Sequence, residues 1–258
     1  MKRPVLILFL VSFLFSLNVP EAGAQLWKMR RFEVSGGLGP SFFFGDVGGF
    51  SPKENVLGFK DLSFLQTRYN FNASAKYRIM EDLNIRLSLT GAKLRATDAR
   101  GSNEGRMMES SIFIFEPALI GEFYFIKNEN ENSYLFSKGQ AGFRRIINSL
   151  DVYAFSGFGG ASYSVNGNDK LVNAGMETGG FTAVIPVGAG ANLIYSPDFN
   201  FGVEIGGRYS FSDYLEGYTS QYSSSNDVYY FLNFTFTYKM KTSSKGWPTF
   251  KKSRAGMF

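Results

Sequence analysis

Asn200-Phe201-Gly202-Val203-Glu204-Ile205-Gly206-Gly207-Arg208-Tyr209-Ser210-Phe211 alternates without a break. Phe201, Val203, Ile205, Tyr209 and Phe211 fall on one face with Gly207, while Asn200, Glu204, Arg208 and Ser210 fall on the other with Gly202 and Gly206. Successive side chains of a strand point to opposite sides of its sheet, so this is a β-strand with one apolar, aromatic face and one small, polar and charged face. The same division recurs at Tyr69, Phe71, Ala73, Ala75 and Tyr77 against Arg68, Asn70, Asn72, Ser74, Lys76 and Arg78. It recurs near the end, where Tyr230, Leu232, Phe234, Phe236 and Tyr238 oppose Asn233, Thr235, Thr237 and Lys239.

Working outward, segments of this kind span roughly 32–44, 67–78, 83–95, 112–126, 152–164, 182–195, 199–211 and 228–239. Eight is an even number, and each segment runs to about 12 residues, beyond the roughly 5–6 of an ordinary strand and enough for the about 9–11 that cross a bilayer at a tilt. The connections alternate in length as those of an outer-membrane barrel do, with short periplasmic turns and longer outer loops. With the N-terminus periplasmic, the outer loops are 45–66, 96–111, 165–181 and 212–227, and the short turns are 79–82 and 196–198. The connection 127–151 is the exception, at 25 residues. It reads either as extra short strands or a loose insertion, or as a docking element.

Alternation alone does not separate a membrane barrel from a soluble one, which turns its apolar face inward. The polar face decides. It carries Arg68, Lys76, Arg78, Arg86, Arg208 and Lys239 against Glu33, Glu116, Glu122 and Glu204, among Gly, Ser, Thr and Asn. Such a face suits the cramped lumen of an eight-stranded barrel, where opposite charges pair and no channel is left. Arg68, Arg78, Arg86, Glu116, Glu122, Glu204 and Arg208 are therefore the candidate interior ion-pair residues. Tyr69 and Tyr77, Phe199 and Phe211, and Tyr230 and Tyr238 sit at strand ends, where aromatic girdles meet the membrane interfaces. The expected fold is all-β: an eight-stranded antiparallel transmembrane β-barrel of the outer membrane with a polar, plugged interior.

The termini are different. Lys2 and Arg3, the apolar run Val5 to Leu17 and the small residues Ala22-Gly23-Ala24 read as a signal peptide over 1–24, with the barrel over 25–240 and a basic periplasmic tail over 241–258. Losing Lys2, Arg3 and Glu21 lowers the formal net charge from +5 to +4, and apart from the tail the basic residues are not gathered in a stripe, so no nucleic-acid partner is expected.

The 258 residues hold 28 Phe, 14 Tyr, 2 Trp and 29 Gly but no His and no Cys. That removes imidazole and thiol chemistry, the usual zinc sites and disulfides, so no enzyme, metal or cofactor is expected. Gly157-Phe158-Gly159-Gly160 and Gly188-Ala189-Gly190 are not phosphate loops, because neither joins a strand to a helix; they read as sites of strand bending and close packing. Glu116 and Glu122 read as ion-pair partners of a nearby Arg in preference to an acid–base pair.

Several stretches together resemble the PorG-like (DUF6089) family of outer-membrane β-barrels. They are Phe44-Gly45-Asp46-Val47-Gly48-Gly49, Arg68-Tyr69-Asn70-Phe71-Asn72, Gly121-Glu122-Phe123-Tyr124-Phe125, Ser137-Lys138-Gly139-Gln140-Ala141-Gly142-Phe143 and the run from Gly202 to Gly217. Glu216 stands where the family's Asp-Tyr-Leu-Asp pattern has Asp. The resemblance implies a component of the type IX protein secretion machinery, associated with a ring of a periplasmic lipoprotein and its partner protein. On that reading the working surfaces are periplasmic. Arg144 and Arg145 of the long connection and Lys245, Trp247, Lys251 and Lys252 of the acid-free tail are the candidate partner contacts, with outer-membrane lipids around the wall. The alternative is a free-standing small barrel that binds or passes an apolar solute through outer-loop residues such as Asp213-Tyr214-Leu215 or Met107-Met108.

Overall fold

The computed structural model describes residues 30–45, 47, 66–99, 104–128, 143–219, 226–243 and 247–249. The proposed signal peptide lies outside the described residues. Eight strands follow in chain order: β1 (Phe32–Phe44), β2 (Arg68–Arg78), β3 (Leu83–Thr97), β4 (Glu109–Ile126), β5 (Leu150–Gly167), β6 (Gly179–Ile194), β7 (Phe199–Ser210) and β8 (Val228–Met240). Each pairs antiparallel with its neighbours in sequence, and β8 returns to β1, from Phe32↔Met240 to Phe44↔Val228, closing the barrel. Closure leaves no sheet edge, which is what lets strands cross hydrocarbon with every ladder group paired.

The sequence boundaries hold at the short turns and move at the loops. β4 and β5 each reach 18 residues, and the ladder continues to Thr97↔Glu109, Ser110↔Gly167 and Ser164↔Gly179. The loops expected at 96–111 and 165–181 shrink accordingly, because the outward positions of the extensions are the polar Ser111, Ser164 and Asn166, which carry none of the outward apolar signal of the belt. The 168–178 connection carries a short helix, α2 (Asp169–Asn173), whose N-cap Asn168 accepts from the Leu171 N–H. Within the long 127–151 connection the described part holds a single helical turn, α1 (Phe143–Asn148), and no extra strand.

The outer wall is apolar. Leu38, Phe71, Leu87, Phe115, Leu119, Val187, Phe201, Ile205 and Phe234 all stand exposed on it. Rings at strand ends pack on one another, as in Phe199 against Tyr238 (5.2 Å) at the turn end and Phe44 against Tyr230 (5.1 Å) at the loop end. An exterior of this kind is stable only against lipid, with the aromatic rows at the two interfaces.

The interior divides into two halves, and here the expectation of a polar lumen needs correcting. The half nearer the short turns is charged. The half nearer the long loops is an apolar core built from Leu94, Ile112, Ile114, Val165, Val184 and Phe231, with Leu171 of α2 and Leu215 of the last loop inserted from above. β4 is apolar on both faces, so period 2 could not tell its inward Ile112 and Ile114 from its outward Phe113 and Phe115. Past the lipid, the raised strands pack inward as a soluble barrel does.

Candidate functional site: a charge-filled lumen and two closed ends

β2, β3, β4 and β7 each bring charged residues of the inward parity to one level near the short turns. Arg86 is the centre. Its NH1 lies 3.1 Å from Glu122 Oε1 and 2.5 Å from Glu204 Oε2, while NH2 donates to Glu204 Oε1 at 3.2 Å. This is a two-pronged guanidinium–carboxylate pair, the geometry that fixes both partners best. Lys76 Nζ sits 2.9 Å from the same Glu122 oxygen, and Arg78 pairs with Glu33 at 3.2 Å. Tyr153 donates its hydroxyl to Glu204 (2.9 Å) and Tyr124 donates to Glu122 (3.2 Å). The Arg86 guanidinium also lies 5.1 Å from the Phe155 ring centroid. Every one of these side chains is almost wholly buried, so each charge is held by a partner and not by water.

One level higher, between the charged and apolar halves, Arg208 and Glu116 face each other at 3.4 Å. Tyr229 donates to the second oxygen of Glu116 at 2.6 Å, Arg208 NH1 donates to the Gly206 carbonyl at 2.7 Å, and the guanidinium lies 4.3 Å from the Phe231 ring. Of the seven interior candidates the structure thus assembles Arg78, Arg86, Glu116, Glu122, Glu204 and Arg208. Arg68 is the correction. It lies at the loop end of β2, half-buried, with NH1 donating to the Thr67 carbonyl at 2.7 Å, away from the buried set. Position at the strand end overrides its inward parity. The tyrosines Tyr124, Tyr153 and Tyr229 were not foreseen as members; the available signal was a ring of inward parity whose hydroxyl needs a buried partner.

Glycine packing supports the closed interior. A Cβ on Gly157 would lie 2.3 Å from the Leu119 carbonyl oxygen, and one on Gly188 2.3 Å from that of Ile205, so the Gly-rich stretches are places where backbones meet.

The loop end is capped by the chain itself. Leu215 is fully buried, and Glu216 accepts from the Val47 N–H with both oxygens (2.9 and 3.1 Å). Asp227 accepts from the Leu215 N–H at 2.9 Å, and Asp98 accepts from Arg106 Nε and NH2 at 3.2 and 3.1 Å. Of the loop residues proposed as a rim for an apolar solute, Tyr214 is exposed, while Leu215 is buried as a stopper and Met108 packs on the same core. Met107, at φ 51°, is exposed beside it.

At the turn end, Lys127 follows β4 directly, donating to the Glu81 carbonyl and lying 4.8 Å from the Tyr124 ring. Asp151 accepts from the Asn128 N–H at 2.8 Å, and Arg30 pairs with Asp198 at 3.1 Å. With its amide oriented so that Nδ2 donates to the Phe199 carbonyl, Asn200 Oδ1 accepts from Lys239 Nζ at 3.2 Å. Burial first, and repulsion from Arg78 second, lower the Lys127 ammonium from 10.5 to about 8. The folded chain then binds fewer protons than the unfolded chain between about pH 8 and 10.5, so this group's unfavourable contribution is complete below pH 8 and fades as pH rises through that window. Site-resolved acylation of Lys127 is expected to reach half its maximal rate near pH 8, well below the roughly 10.4 of an ordinary exposed lysine. Titration together with the exposed lysines would contradict the buried placement.

Beyond β8 the tail folds back as a small hairpin. Thr242 bridges Pro248, Ser243 N–H donates to the Trp247 carbonyl at 2.8 Å, and Thr249 N–H donates to that of Lys241 at 2.8 Å. The Arg31 N–H ties this hairpin to the base of β1 through Thr242 Oγ1 at 3.2 Å. Trp247, on the returning arm, is 72% exposed. On α1, Ile146 and Ile147 are exposed as well. Arg144 and Arg145 lie on α1, and Lys245, Lys251 and Lys252 lie outside the described residues.

Closure, an apolar belt bounded by aromatic rows and a lumen plugged by paired charges and an apolar core define an outer-membrane β-barrel. No family model matches the chain, and no curated protein matches it. Solved structures of similar architecture include Neisserial surface protein A (10% identity, 81% of this chain and 96% of that one, TM-score 0.44). The attachment invasion locus protein Ail of Yersinia pestis is similar at 12% identity over 81% and 97%, with a TM-score of 0.42. A major outer membrane protein of Thermus thermophilus is similar at 12% identity over 81% and 99%, with a TM-score of 0.43. At such identities none of the three lends this chain a ligand or a partner.

Proposed function

We propose that this barrel is a non-enzymatic anchor of the type IX protein secretion machinery, engaging a periplasmic ring lipoprotein and its partner through the turn end. The observation that carries the anchoring role is Trp247, exposed on a returning segment bridged at Thr242 and Pro248 and tied to the base of the barrel. A lumen filled with paired charges below and apolar side chains above leaves no solute path among the described residues, so work falls to the ends. Large exposed aromatics set among cations are the side chains that anchor protein interfaces. The identity of the machine rests on the sequence resemblance to the PorG-like family.

Crosslinked pull-down from outer membranes tests this. Deletion of 241–258, and the pair Arg144→Glu with Arg145→Glu, are each expected to release the lipoprotein and its partner while the barrel keeps its folded gel mobility. Trp247→Ala alone is expected to cost about 2 kcal/mol, roughly 30-fold in affinity, as a hot-spot residue does. Undiminished co-purification from the deletion and from the double variant sinks the proposal.

A further inference from the structure

Four cations meet at the turn-end mouth of the lumen. Arg30 before β1, Arg78 at the end of β2, Lys127 after β4 and Lys239 near the end of β8 line one small cavity with Asp151 of β5 and Ile194 of β6. β2 and β6 stand on opposite sides of the closed sheet, so the cavity lies on the barrel axis, ringed by strand ends. Its rim, where Arg30 and Asp198 are partly exposed, meets water. Its volume is about 10 Å³, room for one solvent-sized group.

The two guanidinium groups have carboxylates of their own: Arg78 has Glu33 at 3.2 Å and Arg30 has Asp198 at 3.1 Å. The two ammonium groups are held by neutral partners, with no salt bridge among the described residues. Lys127 has the Glu81 carbonyl and the Tyr124 ring, and Lys239 has the amide oxygen of Asn200. The single carboxylate of the lining, Asp151, takes the Asn128 N–H. Cations placed together out of water need a counter-charge that these neutral groups do not supply. Lys127 registers the shortfall. Burial lowers its proton affinity first; Arg78 and Lys239 lower it further, against the attraction of Asp151 and Glu33.

We propose that the turn-end mouth is an anion site, in which one oxygen of a small soluble oxyanion of the phosphate type lodges between Lys127 and Lys239 and the rest of the ion stays at the rim near Arg30. Two ammonium groups match the charge of about −1.5 to −2 that a phosphate carries near neutral pH, which a monovalent ion does not. The walls are inward faces of strand ends, so the ion arrives from water and not from the leaflet. The site is independent of the secretion reading.

Lys127 reports occupancy. Its acylation is followed against pH on the full-length protein in uncharged detergent, once in inorganic phosphate and once in chloride at equal ionic strength. A bound anion favours the ammonium form, so phosphate is expected to raise the midpoint by about one pH unit over chloride and to slow acylation at pH 8 about fivefold. Lys170, exposed on α2 at the other end of the barrel, should react equally in both salts. Lys239→Gln removes one of the two ammonium contacts and should abolish most of the phosphate shift; the wild-type comparison stands by itself if that variant fails to fold. Dihexanoyl phosphatidic acid, kept below its micelle concentration, should shift the midpoint no further than free phosphate does. Equal midpoints in phosphate and chloride would leave the cavity to water and overturn the proposal. So would an undiminished phosphate shift in folded Lys239→Gln, or a shift produced by the phosphatidic acid and not by the free ion.

Discussion

Arg86→Met is expected to destabilise the barrel by about 3–5 kcal/mol, the cost of removing one partner from a buried ion pair. The substitution keeps an unbranched side chain of similar reach, so the loss is electrostatic and not a cavity. Arg86 serves two carboxylates at once: Glu204 through both terminal nitrogens and Glu122 through one. Without it Glu122 retains Lys76 and Tyr124, but Glu204 retains only the Tyr153 hydroxyl among the contacts described above, deep in a region that water reaches poorly. An ionised carboxylate left in that state costs far more than a neutral polar group would. Adding Glu204→Gln should therefore recover much of the loss, because it removes the uncompensated charge. The exposed Arg95–Glu109 pair supplies the contrast, since Glu109→Gln should change stability by less than about 1 kcal/mol. Urea unfolding in lipid vesicles, followed by far-ultraviolet circular dichroism and gel mobility, measures all three. A loss under about 1 kcal/mol for Arg86→Met would mean that the network does not hold the lumen together.

Much of this was legible in the sequence, for a reason that also sets its limit. Period 2 reports which face a residue is on, and in β7 the two faces differ so sharply that Glu204 and Arg208 read as interior directly from their parity. Parity carries no height. Arg68 and Arg78 have the same parity on β2, yet one lies half-buried at the loop end and the other in the charged lumen beside Glu33. Nor does parity speak where both faces are apolar. In β4 the inward Ile112 and Ile114 are core and the outward Phe113 and Phe115 are belt, a distinction only the closed sheet makes. Leu215 and Glu216 escaped for another reason: a loop residue's burial depends on contacts far away in sequence, here with Val47 and Asp227. The polar lumen was thus right for the half near the turns and wrong for the half near the loops.

The outer belt makes the second large prediction, because the membrane's thickness is written into β7. Ile205 is midway along the strand between the outward rings Phe199 and Phe211, and it is 57% exposed on the wall. Its cross-strand neighbours are Ala189 of β6 and Leu232 of β8, which offer no polar group. Ile205→Arg places a guanidinium at the centre of the hydrocarbon with no partner in reach, at an expected cost of about 2–4 kcal/mol. Val34→Arg carries the same charge on the same outer face but next to Tyr238 at the turn-end row, where the side chain can extend to the interface. Its expected cost is about 0–1 kcal/mol. A soluble barrel with its apolar face inward would give no such gradient, since both positions would be core and both substitutions severe. Folding free energies of the two variants in vesicles decide the matter: a difference of about 2 kcal/mol or more fixes Ile205 at the membrane centre, and equal losses would remove lipid as the reason for the apolar wall.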